Sequence, residues 1–232
     1  MGFNERVHAY IAARYYVALT ETFGERGKAA FIHATQYYAM QRGRRMAQRA
    51  IRDGAPLTFA TYCRYGEWVG TPEAAEEGIS NVSCFQSYRP DAVQHITRCP
   101  WHQQFKDMGL DQTAGAEYCR HLDMAIARGF NPYLTYEVEQ TLQTADYCIH
   151  RLKQPDFDET TDLSKKAEYI KNFEYHCAHS FWAYREVTSA VFRSQGEAVN
   201  AQVLEEFARE YGQEMADCLM KYQYTNFNVC DS

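Results

Sequence analysis

The feature that most constrains this chain is a change of hydrophobic period along its length: both ends repeat at helical spacing, and the middle alternates as strands do. Val7, Tyr10, Ile11, Arg14 and Tyr15 define an opening helix that breaks at Gly24–Gly27. A second helix is expected from Lys28 to Arg52, with Phe31, Ala34, Tyr38 and Ile51 at near-helical spacing and a stop at Asp53-Gly54-Ala55-Pro56. Beyond Pro56 the alternation takes over. Thr58 to Trp68, Val82 to Tyr88 and Ala92 to Thr97 read as three strands of a β-meander, interrupted by a polar turn region at Thr71–Gly78 and joined at Arg89-Pro90-Asp91.

Cys99-Pro100-Trp101 opens a short helix to about Met108, and Asp111 is an N-cap candidate for a helix over Ala114–Arg128 that stops at Gly129. Tyr133 to Gln140 and Tyr147 to Leu152 alternate again around a turn at Gln143–Asp146, and Gln154-Pro155-Asp156 ends the β-rich middle. In the last third, one apolar stripe runs through Ile170, Phe173, Cys177, Tyr184, Val187 and Val191. A second runs through Val203, Phe207, Tyr211, Met215, Cys218 and Leu219, with Gly196 expected to separate two antiparallel helices. The pattern predicts an α+β fold: an antiparallel sheet with a helix inserted in the middle and long helices at both chain ends. Without an internal repeat or linker, residues 1–232 are expected to form one domain.

Composition narrows the function. Apolar residues make up 46% of the 232, enough to bury a sizeable core and to exclude wholesale disorder. Eighteen tyrosines and thirteen phenylalanines favour an aromatic-walled pocket for a small ligand. A net charge of −6 gives no general footprint for nucleic acid. The one basic cluster, Arg42, Arg44, Arg45 and Arg49, reads first as a solvated helix face and second as an anion site. No apolar run approaches a membrane span, and the start, Met1-Gly2-Phe3-Asn4-Glu5-Arg6, has neither the order of a secretory signal nor a myristoylation pattern. Eight cysteines in such a chain point to reduced thiols and a cytoplasmic location.

The thiols are therefore core fillers, metal ligands or nucleophiles. Cysteine–histidine pairs occur at Cys99/His102, Cys119/His121 and Cys148/His150, and His176 and His179 share a helix face. These are scattered pairs and not a four-ligand zinc pattern, so neither a metal nor a cofactor is expected. Phosphate-binding glycine loops and hydrolase elbows are also missing. Cys119 and Asp123 stand four apart on one expected helix and face the same way. A thiol beside a proton acceptor can attack a strained amidine; the plainer reading makes Cys119 a small buried hydrophobe and Asp123 a surface charge.

Taken in order, Cys99-Pro100-Trp101, Tyr118-Cys119 with Asp123, Gly129-Phe130-Asn131-Pro132 and Ala145-Asp146-Tyr147-Cys148 resemble the L-2-amino-thiazoline-4-carboxylic acid hydrolase family. The resemblance implies a hydrolase that adds water to a small cyclic amidine and opens it to an N-carbamoyl amino acid. Carried over, Cys119 becomes the nucleophile, Asp123 its proton acceptor, and Asn131 a hydrogen-bond donor to the substrate carboxylate or the tetrahedral intermediate. Cys99 and Cys148 flank the site as walls or ligands, and Arg42, Arg44 or Arg45 would hold a carboxylate. His33, His102 and His150 are candidate general bases, with His33 and His102 also counted among the substrate-binding groups. The cysteine order also resembles, more loosely, the small-ligand-binding domains of the four-vinyl reductase type, which would make the protein a non-catalytic binder or sensor. The expected partner is a small-molecule substrate, not nucleic acid or membrane, and the C-terminal helices offer a face for a homo-oligomer.

Overall fold

The structure is a computed structural model that describes residues 2–230; the reading of the extreme N-terminus begins on Met1, outside them. Helix α1, Glu5–Phe23, starts where the Asn4 side chain accepts from the amides of Arg6 and Val7, and ends at Gly24. Gly24 (φ 57°) alone makes the break, so α2 begins at once and runs Glu25–Arg52. The C-terminal α7, Phe173–Tyr211, packs across α1 and α2. Phe31, Tyr15, Tyr184 and Phe181 are buried where these three helices meet. Ile51 and Val191, expected on apolar stripes, are instead exposed at element ends.

The chain doubles back within α7 at Arg193 (φ 54°), three residues before the expected position. Gly196 lies just beyond the break, where a Cβ would stand 2.3 Å from the Thr188 carbonyl oxygen. Its role is close approach of the returning segment, not the break itself. Gly212 then starts a separate α8, Gln213–Met220, so the second apolar stripe crosses two helices. Val203, Phe207 and Leu219 of that stripe are spent inside the molecule.

Four antiparallel strands form the sheet: β1 (Val82–Ser87), β2 (Ala92–Arg98), β3 (Tyr136–Gln140) and β4 (Cys148–Leu152), in the order β1-β2-β4-β3. The chain leaves β2 through α5 (Pro100–Asp107), a π-type turn (Asp111–Gly115) and α6 (Ala116–Phe130), and returns as the β3–β4 hairpin. β4 pairs with β2 in the register Ile96↔Cys148 and Gln94↔His150. The α+β architecture with an inserted helix is as expected, but it is not a simple meander. Asp111 belongs to the π turn and does not cap α6.

Thr58–Trp68 is not a strand. It forms α3, Phe59–Arg64, with Thr58 as N-cap, and Thr71–Gly78 contains a further short helix, α4 (Pro72–Glu76). The aromatics that suggested a strand sit at Phe59, Tyr62 and Tyr65, a three-residue spacing that a helix gathers on one side. Their β propensity is overridden by packing: Phe59 and Tyr65 are buried, and Tyr62 meets Phe130 and Tyr136 edge-on.

Helix α6 presses on α2 through two glycines. A Cβ on Gly43 would lie 2.0 Å from the Ile126 carbonyl oxygen, and one on Gly129 2.4 Å from that of Met40. This backbone contact leaves no freedom in the relative placement of α2 and α6.

Candidate active site

Between the helices and one face of the sheet lies a chamber of about 440 Å³. That is the range of small-ligand sites. α2 contributes Arg42, α3 Tyr62, α6 Cys119 and Asp123, β4 Cys148 and His150, and Cys99 stands at the junction of β2 and α5. Aromatic rings line it: Trp68 meets Trp101 edge-on at 5.1 Å, and Trp101 lies 6.1 Å from Phe173. The Trp101 indole N–H donates to His8 Nδ1 (2.9 Å), which leaves His8 Nε2 to donate to the Tyr38 hydroxyl (3.0 Å). Burial, then His176 and Arg42, holds the His8 pKa well below the usual imidazole value, so this wall is uncharged.

One wall is built on buried arginines. Arg42, Arg45 and Arg49 share a side of α2 and are buried, a correction to the solvated face expected for them; Arg44 alone is exposed. Glu67, fully buried after α3, makes this tolerable. Its Oε1 accepts from Arg45 Nε (3.1 Å) and Arg49 Nη1 (2.6 Å), and its Oε2 from Arg45 Nη2 (2.7 Å). Burial works against the charged carboxylate, but the guanidiniums prevail and lower its pKa to about 2. Arg45 is thus consumed: it also donates to the Phe227 carbonyl (2.6 Å) and does not line the chamber.

Arg42 differs. Its Nε is 4.0 Å from Glu67 Oε2, and among the described residues its guanidinium makes no hydrogen bond. Nε is sealed in the wall, and the terminal nitrogens, absent from the sealed atoms, open to the chamber. That open guanidinium edge leaves this wall ready for an anion.

Cys99, Cys119 and Cys148 share the chamber with Asp123. Burial raises every one of them: Cys119 well above its ordinary value, Cys99 to about 12 and Cys148 to about 11, with the Asp123 charge adding to each shift. They rest as neutral thiols, and activation of Cys119 by a lowered pKa is not what the site provides. Gln143, itself buried, donates through Nε2 to Cys119 Sγ (3.4 Å) and meets His102 Nδ1 with Oε1 (2.8 Å). Asp123 lies four residues beyond Cys119 on the same face, and among the described residues its carboxylate has no hydrogen bond or ion pair. Of the remaining lining groups, His150 accepts or donates a 2.7 Å hydrogen bond at Nδ1 with the Tyr136 hydroxyl, and the Lys165 ammonium folds over the Trp68 ring (4.6 Å).

Several expected residues fall elsewhere. Asn131 caps α6; its Nδ2 donates to the Leu57 carbonyl (2.7 Å) and its Oδ1 accepts from the Tyr133 amide (3.0 Å), so its amide is used in holding a loop outside the chamber. His33 is exposed on α2. His102 reaches the chamber only through Gln143. His176 and His179 are bound separately, to the Glu67 carbonyl (3.1 Å) and to Gln41 Oε1 (2.9 Å). Among the described residues no group of three or more His, Cys, Asp or Glu could hold a metal ion. Sequence reasoning missed Glu67, Gln143, Tyr62 and Tyr136. Only Tyr62 carried a signal, its three-residue spacing with Phe59 and Tyr65.

A chamber with charge of both signs and a carboxylate without a protein partner marks an α+β protein with a site suited to a small polar molecule. The chain belongs to the L-2-amino-thiazoline-4-carboxylic acid hydrolase family, whose sequence model matches residues 4–151. That span holds Arg42, Glu67, Cys99, Cys119, Asp123, Cys148 and His150, and extends well before the cysteine-marked segment that carried the resemblance. Phe173 and His176, which also line the chamber, come from the C-terminal helix beyond it. No curated protein and no solved structure matches the chain. No helix among the described residues is long and apolar enough to cross a membrane.

Proposed function

We propose that this protein hydrolyses a small cyclic amidine or amide of the 2-amino-thiazoline-4-carboxylate kind to an N-carbamoyl amino acid. The observation that carries the reading is the presence, in one chamber, of the open edge of Arg42, the unpartnered Asp123 carboxylate and the Cys119 thiol. Arg42 is suited to grip the substrate carboxylate with two parallel hydrogen bonds. A carboxylate so held keeps the ring in the chamber that Cys119 and Asp123 also line.

Because burial keeps Cys119 protonated, the chemistry requires a base at the moment of attack, and Asp123 is that base. Cys119 Sγ adds to the ring carbon between sulfur and nitrogen while its proton passes to Asp123. The adduct collapses by cleavage of the ring carbon–sulfur bond, and Asp123 returns the proton to the departing sulfur. Water then adds to the amidine carbon held on Cys119, Asp123 takes its proton, and the Cys119 sulfur leaves carrying that proton. One water has been consumed, and the amidine has become a urea. The Gln143 amide supports the thiol throughout by donating to its sulfur. Cys99 and Cys148 serve as walls. Eight free thiols favour a reducing compartment such as the cytoplasm.

The competing reading, a non-catalytic binder of an apolar molecule, would be favoured by a chamber without converging polar groups. Arg42 and Asp123 weigh against it, whereas Asn131, the third polar group sought there, lies outside. The test is ring opening of 2-amino-thiazoline-4-carboxylate and related amidines, with Cys119→Ala and Asp123→Asn as controls. Loss of turnover in both folded variants supports the assignment. Undiminished turnover in Cys119→Ala would remove the covalent step, and no turnover by the unaltered protein would remove the substrate class.

A further inference from the structure

The ring-opening scheme has Asp123 protonate the departing sulfur but names no donor to hold the charge on it beforehand, and the sheet supplies one. Along β4 the inward positions are Cys148, His150 and Leu152, all three buried and all facing the chamber. On the neighbouring strand Val138 stands opposite His150 and Tyr136 opposite Leu152, so Tyr136 is the diagonal neighbour of the imidazole. Its hydroxyl lies 2.7 Å from His150 Nδ1 and has no other hydrogen bond among the described residues. A phenol proton whose one partner is a basic ring nitrogen is donated to it, so Nδ1 accepts and the neutral ring carries its proton on Nε2. Among the described residues Nε2 makes no hydrogen bond, and it is not among the polar atoms sealed from solvent, so this N–H opens into the chamber. Burial lowers the His150 pKa, with Asp123 opposing, which is the direction a neutral donor requires.

We propose that His150, fixed by Tyr136 as the Nε2–H tautomer, is the hydrogen-bond donor that meets the ring sulfur as it departs. This rests on the ring-opening reading and assigns His150 a role different from that of a general base: with its proton already on Nε2 it cannot accept one from Cys119 or water there, and that task stays with Asp123. No proton is transferred by His150; its N–H stabilises negative charge on the sulfur until Asp123 protonates it. Tyr136 is a positioning residue that acts through the ring.

The test combines a tautomer measurement with kinetics on the full chain. Histidine-¹⁵N-labelled protein, with His150→Asn used to assign the signal, is expected at about pH 7 to show a neutral His150 protonated on Nε2, and Tyr136→Phe to show a mixture of tautomers. In ring opening of 2-amino-thiazoline-4-carboxylate, His150→Leu is expected to lower kcat about 10²–10³-fold with little change in KM, as for loss of one preorganised donor. His150→Gln, which keeps an N–H near the same place, is expected to recover at least about tenfold of that loss. A proton found on Nδ1 would overturn the proposal. So would a folded His150→Leu protein with kcat near that of the unaltered enzyme while Asp123→Asn is inactive. If the unaltered protein opens no ring, the hydrolase reading fails by itself, and the tautomer measurement decides the donor assignment.

Discussion

Replacing Glu67 with Gln tests the electrostatic basis of the chamber. The buried carboxylate accepts three hydrogen bonds from Arg45 and Arg49 and faces Arg42 at 4.0 Å. An amide of the same shape keeps one acceptor oxygen and turns an N–H₂ group toward guanidinium donors. The depression of the Glu67 pKa from 4.5 to about 2 corresponds to a preference for the charged form. That preference is worth about 3 kcal/mol, at 1.36 kcal/mol per pKa unit. Breaking a buried ion pair costs about 3–5 kcal/mol, the same range. For a chain of this size each kcal/mol moves Tm by about 2–4 °C, so Glu67→Gln should melt about 6–20 °C lower near neutral pH.

The sign with pH follows from the depressed value. The carboxylate contributes its full stabilisation above the unfolded pKa near 4.5 and loses it as pH falls through about 2, so the gap between the two proteins should close in acid. Thermal unfolding followed by circular dichroism at about pH 7 and about pH 3 measures both quantities. Adding Arg45→Met to Glu67→Gln should recover part of the loss, because one uncompensated guanidinium is removed. A Tm within about 2 °C of the unaltered protein at neutral pH, or a gap that stays constant into acid, would refute the claim that this carboxylate holds the three arginines in place.

Other outcomes can be checked in the same preparations. Arg42→Met should raise KM for a carboxylate-bearing ring about 10–100-fold, the worth of a charged hydrogen-bond pair, and should leave Tm equal or higher because a buried charge without a hydrogen bond is gone; an unchanged KM would remove Arg42 from substrate binding. Iodoacetamide should modify the exposed Cys84 long before Cys119, Cys99 or Cys148, whose thiols burial keeps protonated. Rapid stoichiometric labelling of Cys119 in peptide maps would contradict that. Gly43→Ala drives a methyl to 2.0 Å from the Ile126 carbonyl oxygen and must push α6 off α2. It should destabilise the fold by about 1–3 kcal/mol or more in chemical denaturation and impair turnover, since α6 carries Cys119 and Asp123; a neutral effect on both would show that the helix contact is loose.

Residue spacing alone fixes the element types where one period persists, and which residues share a face within them. The terminal helices, the strands around Val82–Arg98 and Tyr136–Leu152, and the pairing of Cys119 with Asp123 all follow from spacing of two or about 3.6 residues. What a face meets was decided elsewhere. Arg42 and Arg45 look equivalent on α2, yet Glu67, more than twenty positions away, pairs with Arg45 and leaves Arg42 open to the chamber. Asn131 looks like a donor to substrate until the Leu57 carbonyl claims it. His33, His102 and His150 are indistinguishable as isolated histidines, and only strand pairing puts a tyrosine hydroxyl on Nδ1 of the last. At Thr58–Trp68 even the element type was decided by packing, because a stretch rich in aromatics satisfies a strand or a helix until its neighbours choose the spacing. Periodicity is a property of the local backbone. A site is a set of polar groups left without partners, and that remainder exists only once every other group in the fold has found its own.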